Sequence, residues 1–97
     1  MGVLKLSDPQ VLMEELEELS GRCRAMSVKY PQLTANFLSF SNRVNDFLNG
    51  PTDKKLSIII QDLYIIRAIS QKLCEDETLK DDIDPIYHLA AGLLIED

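Results

Sequence analysis

The chain has 97 residues and a mass of 11.0 kDa, which fits one domain around one core and leaves no room for a second. Apolar residues are 45% and charged residues 27%, proportions of a globular domain, and the absence of tryptophan leaves Leu, Ile, Val, Phe and Met to fill a core, which suits helix packing. The net charge of −6 is uneven: residues 1–50 carry five Lys/Arg against six Asp/Glu and residues 51–97 five against ten, so no basic patch for phosphate contacts is expected and direct nucleic-acid binding is disfavoured.

The first residues, Met1 to Leu6, lack the length and cleavage site of a signal peptide, and Leu6 stands where a myristoylation pattern has Ser or Thr. No apolar run approaches the roughly 18 residues of a membrane span. Cys23 and Cys74 are too few for a disulfide scaffold and form no Cys-x-x-Cys pair, so both read as reduced thiols. A cytoplasmic protein without membrane contact is the expectation.

Ser7 and Gln10 have the form of a capping box, with Pro9 suited to the first turn of a helix. Leu12, Leu16, Leu19, Cys23, Met26 and Tyr30 then recur at steps of four and three, one helical stripe. Glutamates crowd its front, while Arg22, Arg24 and Lys29 lie at its rear, in accord with the helix dipole. Gly21 falls inside the pattern at a cost of about 1 kcal/mol relative to alanine. Pro31 disfavours helical geometry at Tyr30 and ends the segment.

Leu33, Phe37, Phe40, Val44, Phe47 and Leu48 form the stripe of a second helix, which holds all three phenylalanines. Asn49-Gly50-Pro51 predicts its stop through a residue able to turn left-handed, and the short connection predicts an antiparallel hairpin with the third helix.

Thr52 or Asp53 is placed to cap that third helix, which contains the run LSIIIQDLYIIRAISQKL (56–73). Its β-branched residues also suit a strand, but some 20 patterned residues are far too many for one. At 100° per residue Leu56, Ile59, Ile60, Leu63 and Ile66 share one face. Ile58, Ile65 and Ile69 occupy another, with Asp62 between the two. Such a helix is normally covered on more than one side.

Residues 75–84 read as an acidic connection with six acids and one lysine, in which only Leu79 and Ile83 offer anchors. Asp84-Pro85 then opens a short final helix of about 11 residues, roughly 16 Å, with Ile86, Leu89, Ala90 and Leu93 inward. The predicted fold is all-α: a small antiparallel bundle of four helices, three long and one short at the C-terminal end, in a single domain over 1–97.

The chain lacks the parts of an enzyme. His88 is its only histidine, the four glycines are scattered rather than gathered in a phosphate loop, and the acids near Asp81 lack the spacing of a hard-cation loop. No catalytic residue, cofactor or metal is expected. A short fourth helix cannot cover the whole second face of the third, so the expected function is non-enzymatic protein–protein contact, as a homo-oligomer or a small subunit, through Ile58, Ile65 and Ile69. The alternative rests on Glu75, Asp76, Glu77, Asp81, Asp82 and Asp84 as an acidic surface for a basic site on a partner. In size, charge and helix count the chain is similar to small immunity proteins and phage anti-defence inhibitors, which implies that alternative without naming a residue for it.

Overall fold

The structure, a computed structural model, describes residues 2–4 and 9–96. Four α-helices, α1 (Pro9–Lys29), α2 (Thr34–Asn49), α3 (Asp53–Leu73) and α4 (Glu77–Leu93), form an all-α bundle. A 3₁₀ turn, Pro31–Leu33, leads into α2. Two three-residue strands, β1 (Gly2–Leu4) and β2 (Leu94–Glu96), pair antiparallel with Val3 opposite Ile95. β2 directly follows α4 in the chain. Ser7 of the expected capping box lies outside the described residues.

Side-chain pairs set the direction of each neighbour. Ser20 meets Ser41 and Thr34 bonds the Ser27 carbonyl, which runs α2 back along α1. Arg43 with Asp62, and Asp46 with Lys55, run α3 back along α2. The three-residue link from α3 reverses the chain again. The helices thus close a ring, α1 against α2, α2 against α3, α3 against α4 and α4 against α1.

The stripes predicted for the helices meet at the centre. Leu12, Leu16, Leu19, Cys23 and Met26 are buried, facing Leu33, Phe37, Phe40, Val44 and Phe47 from the second segment. Ile59, Leu63 and Ile66 enter from α3, whereas Leu56 and Ile60 are half-buried at the edge of the same face. The hydroxyls of Ser20 and Ser41, 2.8 Å apart, satisfy each other in the α1/α2 contact, where small side chains let the helices approach.

The helix ends follow local chemistry. Tyr30, before Pro31, is extended at φ −126°, ψ 89°, as the proline ring demands. Thr52 caps α3 by accepting from the Lys55 amide at 3.1 Å. The stop of α2 differs from expectation. Gly50 has φ −167°, an extended conformation that precedes Pro51, and its N–H donates to the Phe47 carbonyl. No described residue has positive φ. The constraint that Pro51 places on its predecessor ends this helix, not a left-handed glycine.

The largest correction concerns the last helix. It is not short: α4 has 17 residues against 16 in α2, and residues 77–84 are helical rather than an open connection. Asp76 caps it, accepting from the Thr78 amide and hydroxyl. Leu79, Ile83, Ile86, Ala90 and Leu93, at steps of four, three, four and three, form one buried stripe that runs straight through Pro85. Pro85 removes the donor that would reach the Asp81 carbonyl. Asp81 lies on the exposed side of α4, and the buried stripe on both sides outweighs the one lost hydrogen bond.

Candidate docking face beside helices two and three

Ile58, Ile65 and Ile69 have different fates. Ile69 is half-buried and packs on the core, whereas Ile58 is 40% and Ile65 50% exposed. The reason is not the length of α4. Asp62, Ile65 and Ile66 border α2, so α4 packs on the other flank of α3 and does not reach over this face. Seven residues apart, Ile58 and Ile65 stand two turns from each other on one line of the helix.

Beside that line runs a groove. On the α2 side Ala35, Asn36 and Ser39 are small and exposed, which leaves a depression of about 150 Å³ floored by Phe40 and Ile66 and flanked by Ile65. A second depression, about 80 Å³, lies between Arg43, Asp46, Lys55 and Ile58. Both are far smaller than the pockets of roughly 300–1,000 Å³ that enclose a small-molecule ligand.

Between the two depressions Arg43 Nη1 donates to both carboxylate oxygens of Asp62, at 2.8 and 2.9 Å. The Asp62 side chain is 10% exposed and that of Arg43 52%. The aspartate placed between two isoleucine faces in the sequence is thus held by a cation from the neighbouring helix. Lys55 closes the far end, donating to the Gly50 carbonyl at 3.0 Å with its Nζ 3.4 Å from Asp46. Lys54 and Lys72 are exposed at either end of the isoleucine line. Sequence reasoning passed over Arg43, Lys54 and Lys72. Their signal is there, since Lys54, Ile58, Ile65 and Lys72 are spaced four, seven and seven apart, but it has meaning only once α2 is known to lie alongside.

The six acids of 75–84 are not brought together as one free surface. Asp76 is the cap of α4, which pulls its carboxyl below the usual range through the Thr78 hydroxyl and amide. Asp82 accepts from Lys29 Nζ at 2.7 Å and from the Tyr30 hydroxyl at 3.0 Å, tying α4 to the end of α1. Those two hydrogen bonds, Lys29 first, hold the Asp82 carboxyl low. Asp84 lies 3.2 Å from His88 Nε2, one turn on. Glu75, Glu77 and Asp81 are exposed.

Burial pushes the Cys23 thiol up to about 12, and Cys74 is raised by desolvation and then by Asp84. Among the described residues no three His, Cys, Asp or Glu side chains are grouped to hold a metal ion, and no helix is long and apolar enough to cross a membrane. No protein-family model, curated protein or solved structure matches the chain.

Proposed function

We propose that this protein is a non-enzymatic helical interaction module that works as a small subunit, docking through the face formed by α3 and the adjoining edge of α2. The observation that carries the reading is the exposed pair Ile58 and Ile65 beside an unfilled groove, in a bundle whose other predicted stripes are turned inward. Leaving two isoleucines half in water forgoes roughly 1–2 kcal/mol of burial, which a partner would restore. A second copy of the chain is the other form of the same reading. It fits less well, because a symmetric contact sets Lys54 and Lys72 of one copy beside the same lysines of the other.

The acidic-inhibitor reading draws on Glu75, Glu77 and Asp81, which remain exposed on α4 and its link. It is the weaker reading, since Asp76, Asp82 and Asp84 already have internal partners.

Two double variants separate these readings in a capture experiment with host lysate, each first checked for helix content. Ile58→Glu/Ile65→Glu should abolish a specific complex that Glu75→Lys/Asp81→Lys leaves intact and that survives about 0.5 M salt. The opposite pattern, with a complex lost in salt, supports the acidic surface. A complex indifferent to both variants overturns both.

A further inference from the structure

We propose that the α2/α3 face receives an acidic amphipathic helix of another protein, with apolar residues seven apart and carboxylates at its middle and ends. The inference rests on the reading of this face as a docking surface and adds the chemistry of its occupant. In a chain of net charge −6, α3 carries Lys54, Lys55, Arg67 and Lys72 against Asp53 and Asp62, a net +2. Arg67 and Asp53 lie away from the isoleucine line. The face itself carries Lys54, Lys55, Lys72 and Arg43 against Asp46 and Asp62, also a net +2. The exposed isoleucines therefore lie on the basic element of an acidic protein. Three cationic points punctuate their line. Lys54 and Lys72 stand at its ends, about 27 Å apart along the helix, and among the described residues neither has an ion-pair partner. Arg43 stands at its middle. Only its Nη1 is engaged by Asp62, which leaves the Nε and Nη2 donors for an acceptor on the partner.

The spacing specifies a helix. Ile58 and Ile65 repeat at two turns, and each borders its own depression, so a helix laid along the groove offers one apolar side chain to each in register. Acidic flanks on that helix meet Lys54, Arg43 and Lys72. A second copy is disfavoured because it sets the same net-positive face against itself, whereas an acidic helix complements it.

The test uses the full chain, isotope-labelled for amide NMR, and two synthetic 18-residue helical peptides. Both carry leucines seven apart; one has glutamate and the other lysine at the middle and ends. The glutamate peptide should shift amides along 35–46 and 54–72 and leave α1 unaffected. Lys54→Glu/Lys72→Glu, folded by circular dichroism, should weaken it by roughly tenfold. If the lysine peptide binds the face as tightly, the acidic assignment is wrong although the face remains a docking surface. If neither peptide binds there and light scattering shows a wild-type dimer that Ile65→Glu dissociates, the occupant is a second copy and the inference falls. If neither binds and the wild type is a monomer, the inference and the docking reading fall together.

Discussion

Arg43 and Asp62 form an unequal pair, and the inequality predicts which partner matters more. Arg43 is half in water and can rehydrate, whereas the carboxylate of Asp62 is largely covered. Arg43→Ala strands that carboxylate and should cost about 1–3 kcal/mol, whereas Asp62→Asn, which keeps the shape and one acceptor, should cost less. Urea melts of the two variants check the order, and a larger loss for Asp62→Asn would show that the pair is not governed by desolvation of the acid. Gly21 is the opposite case. It is exposed in the middle of α1, and a Cβ there meets nothing within 4 Å. Gly21→Ala should therefore stabilise by about 1 kcal/mol, seen as a raised melting temperature. A neutral or lowered melt would mean that this position takes no benefit from helix propensity.

At the scale of elements, α3 shows how one helix serves two environments. Ile65 and Ile66 are sequence neighbours, 50% and 1% exposed. Ile66→Glu would drive a charge into the core, forfeit about 1.5–3 kcal/mol of burial and should unfold the chain. Ile65→Glu should stay within roughly 1 kcal/mol of the wild type and remain helical. Paired circular-dichroism melts decide this; if Ile65→Glu also unfolds, the face is internal and cannot dock a partner. In α4 the burial stripe 79–83–86–90–93 was present in the sequence, yet Pro85 read as a start because proline usually opens helices. What the local rule omits is that a buried stripe continuous on both sides can outweigh one missing hydrogen bond.

At the scale of the whole molecule, Asp82 with Lys29 and Tyr30 fastens the end of α1 to α4, and this tie has a defined pH range. Asp82 is held below the usual aspartate value of 3.8, so its contribution is complete above that value and disappears as pH falls through the lowered one. Lys29 and Tyr30 are raised above 10.5 and 10.0, chiefly by the hydrogen bonds to Asp82, so theirs is complete below those values and is lost as pH climbs past them. Asp82→Asn should therefore melt earlier than the wild type between about pH 4 and 10, with the gap closing towards pH 2. Calorimetric scans across that range test it. A constant gap down to pH 2 would assign the effect to something other than the carboxylate's charge.

The sequence by itself determined the fold class and the core. The periodic stripes of α1 and α2 and the centre of the inward face of α3 are single-helix properties found where the residue pattern puts them, and the cap of α3 is Thr52, one of the two candidates the sequence offered. It also marked Ile58, Ile65 and Ile69 as surplus to one helix face, of which Ile69 packs on the core. Which isoleucines stay exposed was decided only by tertiary structure, because that depends on the flank of α3 to which α2 and α4 pack. The same holds for Arg43 with Asp62 and Lys29 with Asp82, pairs 19 and 53 residues apart. Single-helix periodicity carries no information about such distances, so the groove, its cationic rim and the internal roles of the 75–84 acids became visible only when the helices were set side by side.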